Sequence, residues 1–345
     1  MAIRTVRKPI IAAIAGAIAI SILAGCVKHK ETITVSPDGA VHLKIEVEGD
    51  RQDMENGAPA LARAPGWEFR EHLVTEENGD EKISRQVEMT IPPGHPIPAS
   101  YPTADPDSQA LAVQHPTTLT IQRRQDGTYY HFRRIFKARP WAFVNFWLRD
   151  FHAQYGDKNP DEMTPEETLK FVEKLVEVER HKQLEIIRVA SQSLAEPWSQ
   201  DLRLAVHDAV TQVVRDVDVN SIAELLRKGE QDDEEVADAF DALAKRLDRQ
   251  VADKVRLLIR EAGLSERRIA AFETLLQRER RRFGITEDYQ DESWEIELSM
   301  PGTLVGHNGD QVVDGRVHWE VAGERFFDRE VELLATSMVP YDRSR

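Results

Sequence analysis

Residues 31–50 read ETITVSPDGAVHLKIEVEGD, and this stretch decides how the chain begins to fold. Apolar and polar residues alternate on both sides of its centre. The apolar members are Ile33, Val35, Val41, Leu43, Ile45 and Val47. A period of two predicts β-strands with one buried and one solvent-exposed face. Pro37 presets φ and Gly39 accepts a positive φ, so the stretch predicts a β-hairpin that turns at residues 36–39.

The same alternation recurs elsewhere in the chain. It predicts a second hairpin over residues 67–91, a third over residues 117–137, and further strands after residue 285. Residues 92–116 contain seven prolines, which interrupt both helices and central strands. We therefore expect a long loop there.

Residues 161–284 change to the helical period. Thr164-Pro165-Glu166-Glu167 combines an N-cap, a proline in the first turn and a capping-box glutamate. Apolar residues then recur every three or four positions, as in Val236, Phe240, Leu243, Leu247, Val251, Val255 and Leu258. Short predicted connections between such helices favour an antiparallel bundle.

These patterns together predict an α+β protein. Its antiparallel β-sheet domain is formed from N- and C-terminal segments, and an α-helical bundle is inserted between them. The predicted boundaries are residues 1–25 for a signal peptide, 26–160 for the first part of the β-rich domain, 161–284 for the helical insertion, and 285–345 for the C-terminal strands.

The first 26 residues indicate export and lipidation. Arg4, Arg7 and Lys8 precede a charge-free run over residues 10–24, which is shorter than the ~18 residues of a spanning helix. The run closes in Leu23-Ala24-Gly25-Cys26, which resembles the lipobox of bacterial lipoproteins. That resemblance implies cleavage between Gly25 and Cys26 and a lipid on the cysteine. We expect a bacterial envelope protein, anchored by lipid on the periplasmic or extracellular side of a membrane.

Composition excludes several classes of protein. The chain has 45 basic and 60 acidic residues, a net charge of −15, so nucleic acid is not an expected partner. A single cysteine excludes an internal disulfide framework and cysteine-rich metal sites. No metal-binding HExxH, nucleophile elbow or phosphate-binding loop occurs in the sequence. We predict no cofactor, no metal and no catalytic residue.

Both ends of the mature chain resemble the domain of LppM-type bacterial lipoproteins. The residues that carry the resemblance are 33–39 (ITVSPDG), 300–302 (MPG), 308–309 (NG), 314–319 (DGRVHW) and 333–337 (LLATS). The family implies a curved antiparallel sheet with helices and a surface role with lipid or glycolipid ligands. The chain departs from that pattern in its inserted helical block.

Two segments are candidate contact sites. The first is aromatic and consists of Trp141, Phe143, Phe146, Trp147 and Phe151. It suits a core helix laid on the sheet, or the lining of a site for an amphiphile. The second is basic and consists of Arg278, Arg280, Arg281 and Arg282. It suits the last turn of a helix, where cations are favoured, or contact with anionic headgroups.

Two functions remain open from the sequence. The first is a non-enzymatic module that binds or scaffolds a lipid, another amphiphile or an envelope protein near the membrane. The second is an envelope hydrolase whose carboxylates no motif reveals. A bound amphiphile would favour the first, and clustered carboxylates with perturbed pKa values in a cleft would favour the second.

The lipidation hypothesis makes the first prediction. Cys26→Ser removes the only thiol of the chain, so the variant should incorporate no radioactive fatty acid and should be released or misprocessed. Incorporation equal to that of the parent would contradict the lipid anchor.

Overall fold

The computed structural model describes residues 27–50, 54, 61–75, 81–103, 106–139, 163–228, 233–289 and 292–341. The predicted α+β class is confirmed, with helices inserted between N- and C-terminal strands. The chain divides into two compact units. The β unit contains the described residues up to 139 and from 288 onward, and the helical unit contains those from 163 to 287.

The β unit contains a seven-stranded sheet. Its strands, in their order across the sheet, are β3 (Glu68–Thr75), β4 (Glu81–Ile91), β2 (Val41–Asp50), β1 (Lys28–Val35), β7 (Ser293–Ser299), β10 (Arg316–Ala322) and β9 (Gln311–Val313). The predicted first hairpin pairs β1 with β2, and Gly39 in its turn has a φ of 90°. That conformation is easy for glycine and costly for other residues.

A four-stranded sheet completes the β unit. Its order is β5 (Thr117–Arg123), β6 (Gly127–Phe136), β11 (Val331–Pro340) and β8 (Thr303–His307). The sequence pattern predicted one antiparallel sheet, whereas the strands are divided between two. One pair is also parallel: β1 runs beside β7, with Lys28 opposite Ser293 and Ile33 opposite Leu298.

The two sheets pack their apolar faces together. Phe132 on β6 lies 6.3 Å from Trp319 on β10, between ring centres, and Phe136 lies 6.4 Å from Trp294 on β7. Phe326, in a short 3₁₀ helix (Gly323–Phe326), stacks on Phe136 at 5.8 Å. Large aromatic side chains therefore join the sheets, and each buries 150–250 Å² by the usual estimate.

The proline-rich segment between β4 and β5 is more ordered than the expected long loop. It contains a six-residue helix, α1 (Pro106–Leu111), whose first residue is one of the prolines. Proline fits the first turn of a helix because the amide hydrogen that it lacks would have no helical acceptor. Tyr101 and His115, on either side of α1, are buried in the β unit.

The helical unit has five described helices. They are α2 (Pro165–Gln192), α3 (Gln200–Arg215), α4 (Val219–Lys228), α5 (Asp233–Glu261) and α6 (Glu266–Asp288), whose last residue belongs to the β unit. The capping box predicted at the start of α2 is present: Glu167 N donates to Thr164 Oγ1 at 3.2 Å, and Thr164 N donates to Glu167 Oε2 at 2.9 Å. The apolar stripe predicted from Leu247, Val251 and Val255 is buried.

One helix boundary differs from the pattern. Glycine commonly follows the last residue of a helix, so the sequence predicts an end at Gly284, but α6 continues through it to Asp288. Phe283 and Ile285 on either side of Gly284 are buried, and that burial offsets the ~1 kcal/mol that glycine costs inside a helix. Among the described residues, no helix is both long and apolar enough to cross a membrane.

The β unit should fold without the helical unit. The guanidinium carbon of Arg139 lies 5.0 Å from the centre of the Tyr289 ring, so the two places where the chain leaves and re-enters the β unit are close together. Replacing residues 141–287 with a short Gly/Ser linker should leave a β-rich protein that melts cooperatively, as measured by circular dichroism. A wholly unfolded remnant would show that both units share one core.

Candidate functional site

Several site residues expected from the sequence lie outside the described residues. They are the signal peptide of residues 1–25, the lipidation site Cys26, and the aromatic set Trp141, Phe143, Phe146, Trp147 and Phe151. Lipidation and contact with an amphiphile therefore stay predictions.

The basic cluster lies inside α6 rather than in its last turn, because the helix continues to Asp288. Arg280 has a side chain only 12% exposed, and its Nη2 donates to the backbone oxygen of Asp248 at 2.9 Å. Arg278 and Arg282 both lie within ion-pair distance of Glu279. Arg281 is exposed. Contact with an anionic headgroup stays a prediction, and Arg280 would have to leave Asp248 to make it.

A cluster of carboxylates and cations joins α2 to α6. Lys182 Nζ lies 2.7 Å from Glu287 Oε1 and 3.7 Å from Glu179 Oε2. Burial raises the pKa of Glu287 to about 7, although Lys182 acts to lower it. The Glu287 side chain is nearly buried, so this perturbed carboxylate faces a lysine rather than an open cleft.

A buried polar cluster of the β unit lies between its two sheets. The Arg134 guanidinium donates two hydrogen bonds to the Glu31 carboxylate, one of them from Nη2 to Oε1 at 2.9 Å. Arg134 Nε donates to Thr117 Oγ1 at 2.8 Å, and the Tyr101 hydroxyl donates to Glu31 Oε2 at 3.0 Å. The two charged side chains are 0% and 1% exposed, so neither meets solvent.

The protonation states in this cluster follow from the pairing. Burial alone would raise the pKa of Glu31, but the Arg134 guanidinium beside it holds that pKa below its usual value. Burial and the Glu31 charge raise the pKa of Tyr101 well above its usual value. At neutral pH the cluster is therefore a closed carboxylate–guanidinium pair with a neutral phenol.

His115 lies beside this pair, and its imidazole ring has no hydrogen-bond partner. Its ring is 4.6 Å from that of Tyr101 between centres, its side chain is 2% exposed, and neither ring nitrogen has a hydrogen-bond partner. Burial, followed by the positive charge of Arg134, lowers the pKa of His115 to about 3. The imidazole is therefore neutral in the folded protein.

A second buried pair joins β1, the strand that also carries Glu31, to the residue that precedes β7. His29 Nε2 is 2.6 Å from Glu292 Oε2, and the His29 ring stacks on Trp294 at 4.5 Å between centres. Like Glu31, this carboxylate is paired inside the β unit. The His29–Glu292 pair links two neighbouring strands of the seven-stranded sheet and is buried, so it offers no exposed acid–base pair.

The charged residues of the β-unit cluster were missed from sequence alone. Glu31 occupies the same phase of the alternation as Ile33 and Val35, and Arg134 the same phase as Phe132 and Phe136. The sequence did contain a signal for this pair, because each of the two strands has a charged residue at a position where the alternation predicts a buried apolar one. Within the described residues, no group of three His, Cys, Asp or Glu side chains is placed to hold a metal ion.

The helical unit carries an open groove of about 660 Å³. Its wall is formed by α3, the α3–α4 connection and α5, and the lining residues are Val213, Asp216, Val217, Asp218, Leu243, Arg246, Leu247, Gln250, Asp253, Lys254 and Leu257. Leu247 is buried, while Leu257 is 48% exposed. The groove is thus lined by apolar side chains and by charged residues of both signs. Its volume lies within the 300–1,000 Å³ range of ligand pockets.

Comparison with known proteins yields little. No protein-family model and no curated protein matches the chain. Among solved structures it weakly resembles the NMR structure of the folded domain of the Mycobacterium tuberculosis LppM protein. The match has 9% identity, covers 93% of this chain and 95% of that one, and has a TM-score of 0.31.

His115 should make the β unit sensitive to acid. Its folded pKa lies below that of the unfolded chain, so the unfolded state binds the proton first and acid favours unfolding. Between about pH 6 and pH 4 the free energy of unfolding should fall by about 2–3 kcal/mol more in the parent than in His115→Leu. Hydrogen–deuterium exchange of the β6 amides measures this difference.

The matched control is His207→Leu, which replaces an exposed histidine of α3. It should keep the pH dependence of the parent. Equal pH dependence in the parent and His115→Leu would show that His115 is not held neutral in the folded protein.

Proposed function

We propose that this chain is a lipid-anchored bacterial envelope protein that binds or scaffolds a ligand near the membrane and is not an enzyme. The signal-like N-terminus and the lipobox-like residues 23–26 support the anchor. Two or three acyl chains, at about 0.8 kcal/mol for each buried methylene, are enough for durable attachment. No cofactor is part of the proposal.

The groove on the helical unit is the observation that carries the binding function. It exposes Leu257 and half-buried Val213, Val217 and Leu243 to solvent. An exposed apolar lining with charges around it is typical of surfaces that bind another molecule. Arg246 and Lys254 provide cations at the groove for an acidic group, although the carboxylates of Asp216, Asp218 and Asp253 line it as well.

The surroundings of three buried or nearly buried carboxylates favour binding over hydrolysis. In the described part of the chain, Glu31 is paired with Arg134, Glu292 with His29, and Glu287 with Lys182. A general acid or base must reach its substrate directly or through one water molecule. These three carboxylates instead contact cations or histidine within their own units.

The ligand class follows from the lining. An amphiphile with an acidic head, or a protein segment with one apolar face, would bury the apolar side chains and meet the cations. The aromatic set beginning at Trp141 and the exposed arginines of α6 are further proposed contacts for such a ligand or for anionic headgroups.

The groove makes a prediction that a matched pair of variants tests. Leu257→Asp places a charge where an apolar group should bind. Burying a leucine is worth about 1.5–3 kcal/mol, so affinity for a dansyl-labelled fatty acid should fall at least about tenfold. Fluorescence titration of the soluble mature chain measures it.

Leu204→Asp is the control, because Leu204 is 54% exposed on α3 and does not line the groove. It should bind the probe like the parent. Absence of saturable binding by the parent, or equal loss in both variants, would contradict a binding function at this groove.

A further inference from the structure

The β unit begins almost at the proposed lipid. β1 starts at Lys28, two residues after Cys26, and the amide of Ser293 donates to the carbonyl of Val27 at 3.3 Å. Two residues of extended chain span at most about 7 Å. A lipid on Cys26 would therefore hold the start of β1 at the bilayer with no flexible linker between them.

The end of the β unit at which β1 starts is called here the near end. The strand topology shows which other parts of the β unit lie there. β7 starts beside Lys28 because the two strands are parallel, and β10 ends there because Ala322 lies opposite Ser293. The 3₁₀ helix follows β10, and the amide of Gly323 donates to the carbonyl of Glu292 at 2.9 Å. The near end thus includes the start of β1, the end of β2, where Glu48 lies opposite Lys28, the start of β7 and the connection 323–330.

The opposite end of the β unit is equally well defined. The Tyr130 hydroxyl donates to the carbonyl of Pro37 in the turn after β1, so the start of β6 lies at that far end. β6 then runs toward the near end, where Phe136 contacts Trp294. Its ten residues span about 30 Å at the usual rise of a strand. The turn that contains Gln125 therefore lies far from the start of β1.

The near end has side chains that suit lipid headgroups. Lys28, Arg325 and Arg329 are exposed there, in the company of the exposed acidic residues Glu324, Asp328 and Glu330, the last of which is paired with Lys137. Arg325 Nη1 donates to the carbonyl of Glu320, and Arg329 Nε donates to the carbonyl of Arg325. Within the described residues, none of these three cations forms an ion pair with a carboxylate, whereas Lys137 and Arg133 nearby are paired with Glu330 and Glu332. Three cations without such partners can contact anionic phosphates.

We propose that the near end of the β unit is a membrane-contact surface that rests on anionic headgroups, with Lys28, Arg325 and Arg329 facing the bilayer. The inference rests on the proposed lipid anchor and adds an orientation to it. The partner is a lipid surface, because the chain between the anchor and β1 is too short to reach past one.

The experiment measures the distance of each end from the bilayer. Cys26 is the only cysteine, so in the acylated protein an introduced cysteine is the only free thiol. Glu324→Cys marks the near end and Gln125→Cys marks the far end, and both positions are exposed. Each acylated variant is labelled with bimane and reconstituted in vesicles of phosphatidylethanolamine and phosphatidylglycerol that contain a lipid with a nitroxide on its headgroup.

The expected result is quenching at least about threefold stronger at residue 324 than at residue 125, because roughly 30 Å separates the two ends. Inserting about ten Gly/Ser residues between Val27 and Lys28 adds a coil of roughly 17 Å and should reduce the difference. Arg325→Gln with Arg329→Gln should also reduce it, while Arg124→Gln at the far end should not.

Mass spectrometry of the N-terminal peptide separates the two possible failures. If Cys26 carries no acyl group, the proposed anchor is wrong and the orientation is wrong with it. If Cys26 is acylated but both ends are quenched equally, or the far end more strongly, the anchor stands and the near-end contact is overturned. A difference that Arg325→Gln with Arg329→Gln leaves unchanged would also overturn it.

Discussion

The Glu31 carboxylate and the Arg134 guanidinium meet in the interior of the β unit, and each belongs to a different sheet. Moving two charges out of water costs several kcal/mol per ion, which their attraction offsets only when geometry is good and the remaining polar atoms are bonded. Here the guanidinium forms two bonds to the carboxylate and a third to Thr117. Removing one partner of such a pair typically costs about 3–5 kcal/mol, so the sheets are held in the one arrangement that keeps the pair closed.

The proline-rich segment depends on the same pair. Tyr101 comes from the chain before α1 and donates to Glu31, while His115 comes from the chain after α1 and packs on Tyr101. The backbone also closes on itself, since the amide of His115 donates to the carbonyl of Ala99 at 2.6 Å. A segment that has few repeating hydrogen bonds of its own is therefore ordered by its contact with a buried carboxylate. Prolines assist, because they reduce the conformational entropy that the segment loses on folding.

Local patterns in the sequence were enough to predict the hairpin of β1 and β2, the capping box of α2 and the insertion of helices between strands. They could not predict that β1 pairs in parallel with β7, because more than 250 residues separate those strands. In addition, side chains alternate between the two faces in the same way in parallel and antiparallel strands, so the alternation does not reveal the direction of pairing. The buried pair was predictable in principle: Glu31 and Arg134 each occupy the apolar phase of a strand. The environment of Arg280 was not predictable from the sequence, because nothing in a run of four nearby arginines shows that one of them donates a hydrogen bond to Asp248.

The parallel pairing of β1 with β7 has a consequence for an anchored protein. A parallel pair needs a long crossover, and this chain places its helical unit in that crossover. Because parallel strands start at the same end of a sheet, the chain returns from the helical unit beside the residue that follows Cys26. Arg139 stacks on Tyr289, so the chain also leaves the β unit at that end. An antiparallel pairing of β1 with β7 would have separated the return point from the start of β1 by the length of a strand. The topology therefore brings the start of β1, the place where the chain leaves the β unit and the place where it returns to one end of that unit.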